Sequence, residues 1–501
     1  MAAIEILTTT EMAMADRLTI EGGVEGYALM RRAGAAVAAA ALEMAEDGPI
    51  LVVAGRGNNG GDGFVAATEL KRRGREVAVM LLCSRDTLKG DAARAAADWQ
   101  GPVLDCDSAA FGTPALIIDA LFGAGLDRPV KGDPRAIIEA MNASDAPILA
   151  VDLPSGINGT SGAIMGIAVR ATQTVTFFRK KPGHLLLPGR AHCGRLRVAD
   201  IGIDPAVTAT IGVRAYENTP ELWGSAFPVP RIDGHKYSRG HAVVLSGGAL
   251  TGGAARLSAR GALRGGGGLV TVAAPADALA SQAAHLTAIM LRQVDTPADL
   301  AALLTDARFN ALVVGPGCGL SARTRDLALT IVSAKRAAVL DADALTSFAE
   351  KPDILFETIA GAGNGNVVLT PHDGEFARLF RDLAEDAALS KLERARRAAA
   401  RSGAVIVLKG ADTVTASPDG RAAIAANAPP WLGTAGSGDV LSGIVAAMLA
   451  QGVPAFEAAS MAVWMHGEAG AEAGPGLIAE DLPEAMPEVF RRLYDLFAVE
   501  Y

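Results

Sequence analysis

The sequence predicts an α/β protein built as two doubly wound domains in series. Three observations carry this. Short apolar runs of strand length alternate with longer helical patterns, as in parallel sheets flanked by helices. The runs end repeatedly in glycine or a carboxylate, where open α/β sheets bind ligands. The series stops at a stretch of weak periodicity, 204–232, which holds Pro205, Pro220, Pro228 and Pro230, and then begins again. At 501 residues the chain is too long for one ordinary core, because domains run roughly 100–200 residues with α/β types larger. The predicted domains are 1–215 and 225–501.

In chain order, Thr8-Thr9-Thr10-Glu11 has the spacing of a capping box and opens the first helix. The alanine-rich run 33–45 gives the second. Residues 49–54 form a buried strand that runs into Gly55-Arg56-Gly57-Asn58-Asn59-Gly60-Gly61-Asp62-Gly63, with a helix over 64–73. Strands follow at 76–82, 115–119 and 148–152, with a helix at 134–143. After Asp152 the pattern changes to shorter β segments, 173–178 and 196–198. The second series has a strand at 241–246 ending in Gly247-Gly248, a helix at 251–264 and a strand at 269–273. Further strands at 311–314, 338–341, 367–369 and 404–408 each end in turn or acidic residues. No short-period repeat is present.

Half of the residues are hydrophobic (50%), only 5% are aromatic, and 57 are glycine. That composition suits layers of small aliphatic side chains joined by glycine loops. A net charge of −9 argues against a nucleic-acid partner. Cys83, Cys106, Cys193 and Cys318 have no CxxC spacing, so neither a disulfide framework nor a zinc site is expected, and a reducing cytosol is. The first residues carry Glu5 and Glu11 and lack a basic region followed by an apolar core, so no signal peptide is expected. No apolar run has the length of a bilayer span. The expectation is a cytoplasmic protein that acts on small molecules, with no membrane partner.

The most informative stretch is Thr434-Ala435-Gly436-Ser437-Gly438-Asp439-Val440-Leu441-Ser442-Gly443. Small residues precede one carboxylate, and a helical apolar pattern follows through Val440, Leu441, Ile444, Val445, Met448 and Leu449. A glycine loop opening a helix aims backbone N–H groups at an anion. A carboxylate there would repel a phosphate held passively. It makes sense if Asp439 accepts a hydroxyl proton while the N–H groups hold developing phosphoryl charge. The competing reading of Asp439 is a helix cap. Lys409-Gly410-Ala411-Asp412-Thr413 follows a buried strand, within reach of nucleotide phosphates or ribose. Thr370-Pro371-His372-Asp373-Gly374-Glu375 ends another strand, where His372 reads equally as a turn residue or as an active-edge group. Ser246-Gly247-Gly248, Thr251-Gly252-Gly253-Ala254 and Gly315-Pro316-Gly317-Cys318-Gly319 are small-residue turns open to a flat ligand.

In the first domain, Asn58-Asn59, Asp119 and Asp152 stand at three strand ends that can share one crevice. Gly60, Gly61 and Gly63 permit close backbone approach to a phosphate, and Gly123-Ala124-Gly125-Leu126-Asp127-Arg128-Pro129 supplies a second loop. The run is not the GxGxxG dinucleotide fingerprint. Singly, Asp119 and Asp152 read as turn caps as readily as functional groups; as a set they favour a site.

On these motifs, residues 1–215 resemble the YjeF N-terminal domain, the NAD(P)H-hydrate epimerase. The carriers are Gly-Asn-Asn-Gly-Gly-Asp-Gly, Asp-Ala-Leu-Phe-Gly-Ala-Gly and Val-Asp-Leu-Pro-Ser-Gly. The resemblance implies a Rossmann-like fold in which Asn58, Asn59, Gly60, Gly61 and Asp62, with Gly123, Ala124, Gly125, Leu126, Asp127, Arg128 and Pro129, hold a hydrated dinucleotide. It implies a potassium ion at Asn59, Asp119 and Ser155, and it makes Asp152 the acid–base residue at the damaged nicotinamide ring. Lys131 and His184 fall near this site as well, although a solvated lysine and a turn histidine are the plainer readings.

Residues 225–501 resemble the ribokinase-like superfamily and, within it, the ADP-dependent NAD(P)H-hydrate dehydratase. The carriers are His235-Lys236, Ser246-Gly247-Gly248, the Gly-Pro-Gly turn, Asp341-Ala342-Asp343, Thr370-Pro371-His372, Lys409-Gly410 and Gly436-Ser437-Gly438-Asp439. The resemblance implies that Ala254, Gly317, His372 and Asp439 contact the hydrated dinucleotide. It places Lys409, Gly410, Ala411, Asp412, Thr413 and Gly438 on an adenine nucleotide, ADP or ATP, that carries Mg²⁺. Ser437 and Cys318 depart from the commoner pattern as small substitutions. A homo-oligomer is implied too. The expected function is repair: epimerisation of R and S hydrates of NADH and NADPH, then dehydration of the S form at the expense of a nucleotide. The alternative is a ribokinase-like small-molecule or vitamin kinase with an N-terminal binding module. A NAD-dependent dehydrogenase is a third reading.

Overall fold

The computed structural model describes residues 3–105, 111–363 and 365–500, so Cys106 lies outside the described residues. The chain divides into two compact units, Glu5–Ala215 and the chain from Tyr216 onward, the latter taking in the first residues up to Ile4.

The first unit is a sheet of seven parallel strands among the described residues. They are β1 (Ile50–Ala54), β2 (Val77–Leu81), β3 (Val103–Asp105), β4 (Leu116–Ala120), β5 (Ile148–Val151), β6 (Gln173–Phe177) and β7 (Arg195–Ala199). Their order is β3-β2-β1-β4-β5-β6-β7. β1, β4, β5 and β6 are buried along their whole length, as strands covered on both faces must be. β6 and β7 continue the same parallel sheet. The change of pattern read after Asp152 is an edge effect: β7 is the last strand and exposes Arg195, Arg197 and Val198. The order reverses between β1 and β4, where Val53 lies opposite Asp119. A reversal of this kind splays the following loops apart and opens a crevice.

The capping box at the chain's start forms as its spacing predicts. Thr8 Oγ1 accepts the Glu11 N–H at 3.2 Å and Glu11 Oε2 accepts the Thr8 N–H at 2.7 Å, opening the helix Thr9–Glu21. The glycine run behaves differently from its reading. The helix begins at Asn58, with Gly57 as its N-cap, and continues to Arg72. A Cβ on Gly60 would sit 1.9 Å from the Gly55 carbonyl oxygen, and one on Gly61 would sit 2.6 Å from Met30 Cε. These two glycines therefore let the first helical turn lie against the strand end and the neighbouring helix.

The second unit holds β8 (Ala215–Glu217), β9 (His241–Leu245), β10 (Leu269–Ala274), β11 (Met290–Gln293), β12 (Ala311–Val314), β13 (Ala337–Leu340), β14 (Val367–Leu369), β15 (Val405–Leu408), β16 (Val414–Ala416) and β17 (Ala422–Ile424). The sheet order is β11-β10-β9-β12-β13-β14-β15-β16-β17-β8. It is parallel from β11 to β15, and β16 and β17 add antiparallel hairpins. Its reversal lies between β9 and β12. There a Cβ on Gly247 would sit 1.8 Å from the Gly317 carbonyl oxygen, so the two turns are in backbone contact.

The helix Ser437–Ala450 is buried from Val440 to Ala450, as a helix apolar on all sides must be. It crosses the helix Gly252–Arg264 so closely that a Cβ on Gly443 would lie 1.9 Å from the Ser258 carbonyl oxygen. Gly443→Ala is expected to push the two axes apart and cost about 1–3 kcal/mol, the range for overpacking a core. A lower denaturation midpoint for the second unit is the check.

The proline-bearing joint is packed in part, although its end is exposed at Val229 and Ile232. It contributes the helix Val207–Ile211 to the first unit and the short helix Pro220–Trp223 to the second. Trp223 is fully buried, with ring centroids 5.7 Å from Trp464 and 6.1 Å from Phe497. Aromatic packing of isolated residues leaves no periodicity, so the sequence pattern is silent there. Among the described residues no helix is long and apolar enough to cross a membrane, and Cys83, Cys193 and Cys318 are free thiols.

Candidate functional sites

A cleft of about 960 Å³ opens in the first unit and is lined by both strand ends of the β1/β4 reversal. Its walls include Met12 and Asp16 of the first helix, Arg56 to Asn59, Asp62, the loop from Gly123 to Lys131, and Asp152 and Lys181. The volume lies at the upper end of the range for small-molecule sites. Asn58, Asn59 and Asp62 line it, whereas Gly60 and Gly61 face the packing contacts described above.

Asp152 follows β5 with φ 66°, the left-handed region, where a non-glycine residue is strained. Its Oδ1 accepts from Lys181 Nζ at 2.7 Å and Thr176 Oγ1 at 2.9 Å, and its Oδ2 accepts the Ala124 N–H at 3.1 Å. Burial alone would push this carboxyl up, but the Lys181 ammonium outweighs it and brings Asp152 down to about 2. Lys181 is only 1% exposed. His184 is a turn histidine, as the plainer reading has it, and closes the short helical turn Pro182–His184. It is buried, its Nδ1 accepts the Lys181 N–H at 2.8 Å, and its Nε2 donates to the Asp152 carbonyl at 2.7 Å. That pair of bonds fixes the tautomer with the proton on Nε2, and burial holds the ring neutral, down to about 4. Lys131 is exposed on the lining of the cleft.

Asp119 and Ser155 are fully buried. Ser155 donates to Asp119 through its Oγ at 2.6 Å and its N–H at 2.8 Å, and Ser155 Oγ accepts the Phe122 N–H at 2.8 Å. Burial raises the Asp119 carboxyl to about 6. The Asn59 amide packs on Gly123, and its Nδ2 is buried without a hydrogen-bond partner.

Lys181, Thr176 and Asp16 were not read from the sequence as site residues. A signal existed for two of them. Lys181 follows the end of β6 just as Asp152 follows the end of β5, and Thr176 lies within β6. Asp16 sits mid-helix with no local mark.

In the second unit the glycine loop opens the helix at Ser437, with Gly436 as N-cap at φ 86°, a conformation that favours glycine. Two buried groups brace the loop. Ser258 Oγ donates to the Asp439 carbonyl at 2.7 Å and His466 Nε2 bonds the Ser437 carbonyl at 2.9 Å. Burial keeps His466 neutral, down to about 4. Burial, and then the Asp341 carboxylate, raise the Asp439 carboxyl to about 6.

Lys409 Nζ donates to Asp341 Oδ1 at 2.7 Å and lies 3.9 Å from Glu375. A Cβ on Gly438 would be 3.4 Å from that ammonium. Burial opposes the charge, but Asp341 and Glu375 hold Lys409 protonated, above the ordinary lysine value. Ser442 Oγ donates to the other oxygen of Asp341 at 2.6 Å. Lys409, Asp341 and the Asp439 helix are thus one hydrogen-bonded group. Ala254 and Gly317 also come together, since a Cβ on Gly317 would lie 3.3 Å from Ala254 Cβ.

Other predicted residues are engaged in shaping the backbone. His372 Nδ1 accepts the Gly374 and Glu375 N–H groups at 3.0 and 3.3 Å and caps the helix Asp373–Leu379. Its side chain is nonetheless 56% exposed. Thr413 Oγ1 closes the turn on Gly410 with bonds of 3.1 and 2.7 Å. Asp412 Oδ1 accepts from Lys391 Nζ at 2.6 Å. Lys391 was not foreseen, because nothing local marks a lysine at a helix start as the brace of a turn 18 residues away.

Comparison with known proteins adds an independent line. The family described as NAD(P)H-hydrate dehydratase matches residues 242–486, and the family described as YjeF-related protein N-terminus matches residues 26–183. The bifunctional NAD(P)H-hydrate repair enzyme Nnr of Moorella thermoacetica is 36% identical, over 97% of this chain and 97% of its own. The enzyme of the same name from Thermofilum pendens is 34% identical, over 99% and 98%. The ADP/ATP-dependent NAD(P)H-hydrate dehydratase of Bacillus subtilis, co-crystallised with ATP and Mg²⁺, is 26% identical with a TM-score of 0.46, over 55% of this chain and 98% of its own. With full-length relatives at this level of identity, the chain belongs to the family of bifunctional NAD(P)H-hydrate repair enzymes, an NAD(P)H-hydrate epimerase joined to an NAD(P)H-hydrate dehydratase.

Proposed function

We propose that the first unit interconverts the R and S hydrates of NADH and NADPH, and that the second dehydrates the S form at the expense of ADP or ATP. The domains that do this are 1–215 and 225–501. The observation that carries the reading is Asp439: a carboxylate at the mouth of a glycine-opened helix, beside a protonated lysine, with its pKa raised to about 6. A hydroxide is a poor leaving group from the reduced ring. Asp439 accepts the proton of the substrate hydroxyl as that oxygen attacks the phosphoryl group and the nucleotide, one phosphate shorter, leaves; loss of phosphate from that carbon with a proton from the adjacent ring carbon restores NAD(P)H. Lys409 and the N–H groups at Gly438 hold the transferring charge. Ala254, Gly317 and His372 contact the hydrated dinucleotide, and Lys409 to Thr413 contact the adenine nucleotide.

The donor set suits a magnesium ion that arrives on the nucleotide. Among the described residues no group of three or more His, Cys, Asp or Glu forms a protein cage for a metal. Mg²⁺ carried on phosphates needs only one or two carboxylates, and Asp341, Asp343 and Glu375 each help raise the Asp439 carboxyl. Mg²⁺ supplies neutralisation of the phosphate charge.

In the first unit, Asn58, Asn59 and Asp62, with Gly123 to Pro129, hold the dinucleotide, Gly60 and Gly61 serve the packing beneath them, and Asp152, kept ionised by Lys181, stands at the damaged ring. Potassium fits Asn59, Asp119 and Ser155, which offer one carboxylate, a hydroxyl and an amide, a donor set for a hard monovalent ion. The unpartnered Asn59 Nδ2 supports this, because turning the amide over puts its oxygen in that buried position. Epimerisation is expected to fall when potassium is replaced by tetramethylammonium, and anomalous diffraction should show an ion between these three residues. An unchanged rate and no anomalous peak would remove potassium from the mechanism. This reading makes the protein a cytoplasmic homo-oligomer without nucleic-acid or membrane partners.

The deciding experiment supplies the purified chain with mixed R and S hydrates, first with ADP and then with ATP, and follows the return of NADPH absorbance. Consumption of both epimers is expected. A stable phosphorylated product with no NADPH released would favour the small-molecule kinase reading instead.

A further inference from the structure

Epimerisation needs a group that delivers a proton, and Asp152 is not built for it. All three hydrogen bonds on its carboxylate come from N–H or O–H donors, one of them the buried Lys181 ammonium, so it is held as an anion. The cleft contains a carboxyl group of the opposite kind. Asp62, in the first turns of the helix Asn58–Arg72, is 9% exposed and lines the cleft, and its carboxyl group makes no hydrogen bond or ion pair among the described residues. An unpartnered buried carboxylate is costly, whereas the neutral acid is tolerated. The charged groups acting on it are Asp16 on the first helix, Asp152 and Lys181, with Arg56, Asp91, Asp127, Arg128, Lys131 and Asp133 elsewhere on the cleft wall.

We propose that Asp62 is the catalytic acid of the epimerase site, working in the same cleft as the Asp152 carboxylate that Lys181 holds. This rests on the epimerase reading of the first unit. Burial, reinforced by the two neighbouring aspartates, keeps the Asp62 carboxyl well above the ordinary aspartate range. Two carboxyl groups in one site with opposite protonation states make an acid and an anionic stabiliser.

The step balances. Hydration of an enamine places the hydroxyl on the ring carbon bonded to nitrogen. Asp62 donates its proton to that hydroxyl and the C–O bond breaks. The bonding pair leaves with the oxygen as water, and the nitrogen lone pair forms the C=N⁺ bond. Water then adds to the opposite face of the same carbon, and the proton it sheds is relayed through the water just released to the Asp62 carboxylate. Asp152 accepts a hydrogen bond from the departing or arriving water. No oxidant or second substrate enters.

The test uses the full-length protein without nucleotide, so that dehydration cannot drain the hydrates, and follows conversion of pure S-NADPH hydrate to the R form. Asp62→Asn should lower turnover by about 10²-fold or more, the range for a positioned acid. The loss should fall on turnover rather than on the half-saturating hydrate concentration, because the amide can still hydrogen-bond the hydrate, and the melting temperature should hold or rise. Acetate should restore part of the turnover in Asp62→Ala. If Asp62→Asn does not fold, that rescue decides alone: acetate-dependent epimerisation supports the assignment and its absence overturns it. Wild-type turnover in Asp62→Asn, or a loss confined to hydrate binding, also overturns it while leaving the epimerase reading standing. A wild-type chain that does not convert the hydrates sinks the epimerase reading itself, and the acid assignment with it.

Discussion

Asp439→Asn is expected to abolish NADPH recovery from the S hydrate while leaving ADP binding intact. The amide fills nearly the same volume, and the helix that opens at Ser437 loses no cap, because Gly436 is its N-cap and no side chain caps it. The loop keeps its braces, because Ser258 and His466 bond backbone carbonyls that the substitution does not touch. An amide cannot accept the hydroxyl proton, so the rate should fall by about 10²–10⁴-fold. Removing a carboxylate beside Lys409 also removes repulsion toward phosphate, so ADP should bind as well or slightly better. The wild-type dehydration rate should rise with pH through about 6, because the base must be unprotonated to act. A helix-cap role predicts the opposite, a modest loss of stability at nearly full turnover. Melting temperature, ADP affinity and NADPH recovery on one preparation separate the two. Wild-type turnover in the mutant would end the catalytic assignment.

The second large effect concerns the buried pair in the first unit. Lys181→Met removes the ammonium that keeps Asp152 ionised, and Asp152→Asn leaves Lys181 charged and unpaired at 1% exposure. Breaking a buried pair by removing one partner costs about 3–5 kcal/mol, whereas removing both together is often near neutral. Each single substitution should therefore destabilise the first unit, and the double substitution Asp152→Asn with Lys181→Met should recover most of that loss. Epimerisation should recover in none of them. The pair's contribution has a defined pH window. Asp152 is depressed to about 2 in the folded chain, so the stabilisation is present above the ordinary aspartate value and is lost as pH falls toward 2. With mixed hydrates and nucleotide, the S form should still be consumed by all three variants, and the R form should persist. Stabilities that add without coupling, or clearance of both epimers at the wild-type rate, would contradict the assignment.

The sequence by itself determined the architecture and the place of the glycine loop at a helix start. Alternating apolar runs require parallel strands with helical crossovers, and residues at successive strand ends then fall on one edge whatever the details of packing. Asn58, Asp119 and Asp152 in one unit, and Gly317, His372, Lys409 and Asp439 in the other, were legible for that reason. Gly436 was legible because its backbone conformation admits little else. Tertiary structure alone decided which charges meet. Lys181 reaches Asp152 across 29 residues, Lys409 reaches Asp341 across 68, and Ser442 reaches Asp341 across 101. Local pattern reports periodicity and backbone demands over a few residues. The partner of a buried charge is set by which crossovers bring two strand ends side by side. The same limit explains why the helix read from residue 64 begins at Asn58. Glycines that read as a flexible loop are helical there, because the packing of Gly60 on Gly55 and of Gly61 on Met30 more than offsets their poor helix propensity.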